Sequence, residues 1–446
     1  MASGGARVTV AGGGLGGALM AIFLARSGHD VELFERREDP RGGRGGAGRS
    51  INLAISTRGL HALERAGLSA EILKVAVPMR GRMVHSLDGE TRFQPYGTRE
   101  DQVINSVSRG GLNLLLLNAA ASYPNVRIHF GRRCTGSDLE TGAATFVDTQ
   151  TGALSTSTGD FLVGADGAFS AVRQEMQRHD GFNFRQDYLE HGYKELSMPP
   201  GEAGGFRMEP NALHIWPRGA SMMIALPNFD GSYTCTCFWP LEGPGSFAAL
   251  RTEEEVLRHF RERYPDAVPR MPSLAADYLG NPTGSLVTIR CSPWHHRGRL
   301  VLLGDACHAV VPFYGQGATA AFEDCVVLDE CLSRHAPDWE RAFREYQWLR
   351  KENTDALADL SLENFVEMRD KTASRLFLLE KRIEKGLHHL FPAWFIPLYT
   401  MVTFSRTPYA RAVRRARRQW IAFGAAGAAL VLLILLFAIF RGLSWN

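Results

Sequence analysis

Residues 7–35 leave this chain few folds. An apolar run over 7–11 leads into Gly12-Gly13-Gly14-Leu15-Gly16-Gly17. A helical pattern over 18–27 then ends at Gly28, and a second apolar run over 29–34 closes on Glu35. Strand, glycine turn, helix and strand in that order form a βαβ unit, and the GxGxxG spacing is its dinucleotide-binding form. Gly12 permits the turn, Gly14 lets backbone approach a pyrophosphate, and Gly17 lets helix pack on strand. Glu35, eighteen residues past Gly17, is placed for the hydroxyls of an adenosine ribose, where its charge disfavours a 2′-phosphate. The expected class is therefore α/β, built on a Rossmann-type nucleotide-binding domain.

Two later segments again run an apolar strand into a glycine and a carboxylate. One is Phe161-Leu162-Val163-Gly164-Ala165-Asp166-Gly167. The other, over 299–303, delivers Gly304-Asp305 roughly 290 residues after the first glycine loop, so the domain is completed late in the chain. An aspartate before a helix is more often an N-cap, so Asp166 and Asp305 carry weight through order and spacing. After Asp305, the loop Pro312-Phe313-Tyr314-Gly315-Gln316-Gly317 opens a helix. One carboxylate for a hydroxyl chain, then free N–H groups at a helix start for an electron-rich ring, suits FAD. A nicotinamide dinucleotide has no ribityl chain.

Between these segments the texture changes. Residues 184–289 are β-rich, with alternation at His214-Ile215-Trp216 and Met222-Met223-Ile224-Ala225-Leu226, and read as an inserted antiparallel sheet. Asp88-Gly89 between 83–87 and 91–94 marks a hairpin. Helices are expected over 57–66 and over 109–123, the latter with Leu112, Leu115, Leu116 and Ala119 on one face. Residues 41–49, rich in Gly and Arg, are expected as a loop over the pyrophosphate. The division that follows is an FAD-binding domain of 1–80, 100–183 and 290–330, a substrate-binding sheet of 81–99 and 184–289, and a helical region of 331–405.

Charge needs care. The net +3 comes from Ser405 onward, where seven arginines and no acid stand; the rest carries −4. Nothing marks a nucleic-acid surface. Residues 420–440 form an uncharged run of 21, about 31 Å as a helix, which matches a bilayer core. A C-terminal transmembrane helix over 419–440 is expected. Six arginines precede it and only Arg441 follows, so the large domain should face the cytosol. Which membrane receives it stays open (outer mitochondrial in a eukaryote, inner in a bacterium), as does the copy number. Residues 1–6 are too short for a signal peptide. Seven cysteines form no CxxC and no zinc spacing, fitting reduced, buried thiols and no metal site.

Together, Gly12–Gly17, Asp166-Gly167 and Gly304-Asp305 resemble the three fingerprints of the single-component FAD-dependent aromatic hydroxylases. Within that family the chain is similar to the members acting on kynurenine. The strings that carry this are Arg49-Ser50-Ile51-Asn52-Leu53-Ala54, Pro78-Met79-Arg80-Gly81-Arg82-Met83-Val84-His85-Ser86, Pro95-Tyr96-Gly97-Thr98, Leu213-His214-Ile215-Trp216-Pro217-Arg218 and Phe395-Ile396-Pro397-Leu398-Tyr399-Thr400-Met401-Val402-Thr403-Phe404-Ser405-Arg406. The resemblance covers nearly the whole chain. It departs at Gly315-Gln316-Gly317-Ala318-Thr319-Ala320-Ala321, where the family has Gly-Gln-Gly-Met-Asn-Ala-Gly, which puts flavin affinity in question there.

The resemblance implies hydroxylation of L-kynurenine to 3-hydroxy-L-kynurenine, a step of tryptophan degradation, with FAD bound, NADPH as transient co-substrate and O2 consumed. No protein nucleophile is needed, and His308 is expected in a structural role. FAD would meet Gly12, Gly14, Leu15, Gly16, Gly17, Glu35, Arg36, Arg37, Ala54, Arg109, Cys134, Asp166 and Asp305, with Gly317, Ala318 and Thr319 presenting backbone N–H groups. Arg82, Tyr96, Asn364 and Tyr399 would grip the amino-acid end of the substrate; Leu213, Met222, Ile224, Leu226, Phe238, Pro312 and Phe313 would enclose its ring. By spacing alone, Asn364 and Glu367 at i, i+3 read instead as a polar surface stripe. A hydroxylase of another aromatic acid, and a membrane-tethered flavoprotein without turnover, stay open. A flavin halogenase is disfavoured, because no Trp-x-Trp-x-Ile-Pro string is present.

Overall fold

A computed structural model describes residues 5–42, 52–97, 99–367 and 375–443. The loop expected over 41–49 falls mostly outside these, as do Arg49, Ser50, Ile51 and Thr98 of the strings above. β1 (Arg7–Ala11), α1 (Leu15–Arg26) and β2 (Asp30–Phe34) form the βαβ unit. The helix starts earlier than its apolar pattern indicated. Gly14 is its N-cap, and Leu15, Gly16 and Gly17 are already helical.

β3 (Leu53–Ile55), α2 (Thr57–Arg65), α3 (Ser69–Lys74) and β4 (Val77–Met79) follow. The hairpin of β5 (Gly81–His85) and β6 (Thr91–Pro95) turns at Asp88-Gly89, and β7 (Ile104–Val107) leads into α4 (Arg109–Ala121). On α4 the buried side chains are Leu112, Leu116, Leu117 and Ala120, with Leu115 and Ala119 at the flank, so the expected face is turned by about one position. After β8 (Val126–His129) come β9 (Arg132–Ser137), β10 (Ala144–Asp148) and β11 (Leu154–Ser157), an antiparallel meander. The sequence pattern did not reveal it, because Ser, Thr and Asp blur its alternation. β12 (Phe161–Gly164) and α5 (Ala171–Met176) close this half.

The remaining strands are β13 (Asn183–Met198), β14 (Ala212–Arg218), β15 (Ser221–Pro227), β16 (Tyr233–Pro240), β17 (Gly284–Ser292), β18 (His295–His296) and β19 (Leu300–Leu302). The helices α6 (Glu253–Arg263) and α7 (Leu274–Gly280) lie between β16 and β17. After β19 the chain is helical: α8 (Asp305–His308), α9 (Gly317–His335), α10 (Trp339–Val366), α11 (Arg375–Leu390), α12 (Leu398–Phe404) and α13 (Tyr409–Leu443).

One sheet has the order β18-β19-β12-β1-β2-β8, parallel except for its edge pair β18–β19. Parallel neighbours end on the same side. The turns after β19, β12, β1 and β2 therefore line up Asp305, Asp166, Gly12 and Glu35 along one edge, across roughly 14 Å at ~4.8 Å per strand. That edge is where α/β sheets bind ligands.

A second sheet has the order β17-β13-β16-β15-β14-β5-β6. It was expected to be antiparallel throughout; one pair is not, since β5 runs parallel to β14. The two strands come from distant stretches and share no hairpin turn, so nothing forces them antiparallel. Alternation divides the sheet's faces. Met223, Ala225, Cys235, Cys237 and Trp239 pack under α6 and α7, whereas Met222, Ile224, Leu226 and Phe238 point to the opposite side.

α13 joins the arginine-rich stretch and the apolar run in one 35-residue helix, about 52 Å long. Its apolar window is wholly exposed, and by length and composition it suffices to cross a membrane. All seven cysteines are free, and six are buried.

Candidate active site

The glycine loop divides its labour as the spacing implied. Gly12 sits at φ +107°, and a Cβ there would lie 2.3 Å from the Ala165 carbonyl oxygen; one on Gly17 would lie 1.9 Å from that of Gly12. A Cβ on Gly14 would meet nothing within 4 Å. The two packing glycines are thus forced by neighbouring backbone, and the third keeps open space beside the N-terminus of α1, a cradle suited to a phosphate. Leu15 is buried in the core and Gly16 packs near Leu303, so neither side faces the open edge. We expect Gly12→Ala to lower the unfolding temperature of the flavin-free chain, since left-handed backbone alone costs an L-residue roughly 1–2 kcal/mol. Gly14→Ala should leave that temperature unchanged and weaken FAD binding about tenfold or more, as one lost hydrogen bond would. FAD titration checks this; wild-type affinity in Gly14→Ala would overturn the cradle.

Glu35 is buried and already engaged. Its Oε2 accepts the Gly13 N–H at 2.9 Å and its Oε1 the Arg37 N–H at 2.9 Å, so it braces the loop whether or not it also meets a ribose. Arg36 is exposed, and the Arg37 guanidinium stands 3.8 Å from Glu35. Asp166 does cap a helix: its Oδ2 accepts the N–H groups of Ala171 and Val172 at 2.7 and 3.3 Å. Its Oδ1 is buried without a partner among the described residues, and burial pushes the carboxyl up. Beside it, burial first and Asp166 second push the Cys134 thiol up to about 12, which makes that cysteine inert as a nucleophile. Asp305 is exposed at the first residue of α8. Arg109 opens α4, exposed and within electrostatic reach of Tyr193.

The loop 312–315 turns at Gly315 (φ +68°), where a Cβ would lie 3.3 Å from that of Ala54. Gln316 then caps α9, whose first N–H groups belong to Gly317, Ala318 and Thr319. The Thr319 side chain points away from the edge, against Gly59 of α2, and its buried hydroxyl has no partner among the described residues. The departure from the family pattern thus changes packing behind the loop and leaves the three N–H groups in place. A cradle, an unpartnered carboxylate oxygen and a run of helix-start N–H groups along one edge fit FAD.

Arg82, Tyr96 and Tyr399, far apart in sequence, are brought together. The guanidinium carbon stands 5.8 Å from the Tyr96 ring centre and 5.3 Å from that of Tyr399, and the two rings stack at 5.9 Å. Arg82 shares its face of the sheet with Leu213, its partner across β5–β14. Burial opposes its charge, but Tyr399, Tyr96 and Glu367 outweigh that and raise its pKa. The Arg82 Nε is buried with no hydrogen-bond partner among the described residues. Burial raises the pKa of both phenols, so both stay protonated donors.

The apolar wall is shared between two packed groups. Met222, Phe238 and Phe313 belong to one, Leu226 and Ala54 to the other with Tyr96 and Tyr399, and Leu213 and Ile224 touch both. Phe313 lies 5.0 Å from Phe238 and stacks at 4.4 Å on Phe365; Pro312 is half-buried at the start of that turn. Asn364 is buried, and its Nδ2 donates to the Phe313 carbonyl at 2.6 Å. The surface-stripe reading of Asn364 is therefore wrong: tertiary packing covers that face of α10. Sequence reasoning also missed Phe365 and Tyr314, the latter 5.8 Å from Tyr399. Tyr314 stood inside the quoted loop, so the signal was present.

Behind the loop lies a buried charge network. His308 Nε2 meets Asp324 Oδ2 at 2.5 Å, and Arg350 donates to Asp324 at 2.6 Å and to Glu323. Glu323 also accepts from Arg58 at 2.9 Å, and Arg58 donates to the Val402 and Thr407 carbonyls. The Arg58 guanidinium lies 4.1 Å from the Tyr409 ring centre; the Tyr409 hydroxyl bonds Gln316 at 3.2 Å. His308 is buried and engaged in this network. No cluster of potential metal ligands occurs among the described residues.

Comparison with known proteins gives the family of the chain. The FAD binding domain family matches residues 5–341. The chain is 51% identical over 405 residues to the kynurenine 3-monooxygenase of Myxococcus xanthus, covering 91% of this chain and 87% of that one. It is 50% identical over 414 residues to that of Salinispora arenicola, covering 93% and 91%. Among solved structures, 2-methyl-3-hydroxypyridine-5-carboxylic acid oxygenase superposes with a TM-score of 0.67 at 22% identity, covering 84% of this chain and 96% of that one, a likeness of fold.

Proposed function

The chain belongs to the FAD binding domain family and, within it, to the kynurenine 3-monooxygenases, and on that premise we propose that it hydroxylates L-kynurenine to 3-hydroxy-L-kynurenine with NADPH and O2. The observation that carries the reading is the half-buried Arg82, its buried Nε without a partner among the described residues, set beside two protonated phenols and the apolar side chains packed with them. A guanidinium fork suits a carboxylate. Tyr96 and Tyr399 donate beside it, and Asn364 fixes the Phe313 turn. Met222, Ile224, Leu226 and Leu213, with Phe238, Pro312 and Phe313, hold the aminophenyl ring and keep water away.

Gly14, Asp166, Asp305 and the N–H groups of Gly317, Ala318 and Thr319 would hold FAD, with Glu35, Arg36, Arg37 and Arg109 at its phosphate and ribose end. When bound, the flavin supplies electron transfer from NADPH and activation of O2. One oxygen atom enters the ring ortho to the amino group and the other leaves as water. The protein's own part is to orient the ring carbon and clamp the carboxylate. α13 serves as a single-pass anchor with the catalytic body on the arginine-rich, cytosolic side. The second sheet acts as an inserted substrate-binding domain.

The test is purified chain with FAD, NADPH and a panel of aromatic acids. Kynurenine should stimulate NADPH and O2 consumption with stoichiometric 3-hydroxykynurenine. NADPH oxidation without hydroxylation of kynurenine, or faster hydroxylation of another aromatic acid, would overturn the assignment.

A further inference from the structure

Where α13 leaves the body of the protein, the structure forms a groove of about 790 Å³ between that helix and the segment ending α11. Arg411, Arg415 and Arg418 line it at i, i+4 and i+7, one stripe of α13, and Ala422 and Phe423 continue it into the apolar run. The opposite wall is Leu387, Phe391, Trp394 and Phe395. No lining residue is acidic. Arg414 pairs with Glu352, but Arg411 and Arg418 make no ion pair among the described residues, and Arg415 reaches only Gln419 and the Ala393 carbonyl. Trp394 is 83% exposed and Phe391 55%. An aromatic wall facing an unpaired cationic stripe is costly in water. It is well placed where water meets lipid, because aromatic rings and arginines both concentrate there.

We propose that this groove binds the headgroup of an acidic phospholipid, its phosphate on Arg411, Arg415 and Arg418 and the start of its acyl chains against Trp394, Phe391 and Phe423. The inference rests on reading α13 as an anchor. Charge and position both select this ligand: the groove is cationic, and its open end continues along the only membrane-length apolar helix among the described residues. Arginine forks suit phosphate oxygens.

The full chain is first reconstituted into phosphatidylcholine vesicles and washed at alkaline pH, which tests the anchor alone. It is then placed in phosphatidylcholine bilayers with phosphatidylglycerol as the minor lipid, and the lipids that stay with the re-purified protein are counted. Phosphatidylglycerol should be retained above its bilayer share, with excess inorganic phosphate failing to displace it. In the variant Arg411→Gln/Arg415→Gln/Arg418→Gln the enrichment should fall, about fivefold per arginine as for basic residues near an acidic surface. All three side chains are exposed, so folding is not at stake. Kynurenine turnover in detergent should be unchanged. Retention at the bilayer share, equal enrichment in the variant, or displacement by phosphate overturns the headgroup site while leaving the anchor standing. Loss from the neutral vesicles removes the anchor and the proposal with it.

Discussion

Arg82→Ala should raise the kynurenine concentration needed for half-maximal rate by roughly 30- to 150-fold, with a much smaller change in kcat. The substitution removes charge-assisted hydrogen bonds from a buried site, worth about 2–3 kcal/mol. It also leaves the substrate carboxylate facing two phenols, which donate hydrogen bonds but carry no positive charge. Arg82→Lys keeps the charge and loses the fork, so it should fall between the two. Steady-state kinetics with a direct binding titration separate affinity from turnover. FAD content should be unaffected, because Arg82 sits on the second sheet rather than at the edge that holds the glycine loop. An unchanged apparent affinity would reject the carboxylate clamp.

The second large effect concerns stability. Arg350→Met should cost the fold about 3–5 kcal/mol, the usual consequence of removing one partner from a buried ion pair. Asp324 is fully buried, and burial works against its charge; His308 and Arg350 reverse that and hold the carboxyl below its ordinary range. Without Arg350, Asp324 keeps only His308, and Glu323 keeps only Arg58. Arg344→Met is the control. Arg344 pairs with Glu340 at 3.0 Å on the same helix, but both side chains are exposed, and such pairs contribute about 0.5 kcal/mol or less. Denaturant unfolding of the two variants measures the difference, and equal stabilities would show that the network is not a structural keystone. Flavin retention should fall in Arg350→Met as well, since the same network reaches Gln316 at the head of α9.

The nucleotide edge was legible because its signals are local. A glycine loop in a strand–turn–helix setting dictates its own conformation, and the two later apolar strands that end in glycine and carboxylate fall in beside its strand once they join one parallel sheet. Nothing local ties Arg82 to Tyr399, which are separated by most of the chain. That pairing came through resemblance, while the spacing of Asn364 and Glu367 taken alone pointed to the surface. The charge network was hidden for a related reason. Glu323 and Asp324 look like ordinary solvated acids in a helix, and their partners Arg58 and Arg350 lie on other helices without any period to announce them. The parallel β5–β14 pair was likewise set by where two separate stretches enter the sheet.

The unbroken run of α13 has a practical consequence. Tyr409, Ala412 and Ala416 are core residues, packed with Ala320, Leu357 and Val402, while the apolar window further along the same helix is bare. The helix therefore has no natural seam at its first arginines. A shortened form should be cut beyond Gln419, whose side chain still bonds Ile396, so that only the exposed apolar length is lost. A cut before Tyr409 would take a wall out of the flavin loop's foundation, and the resulting protein would owe its poor behaviour to a missing piece of its interior.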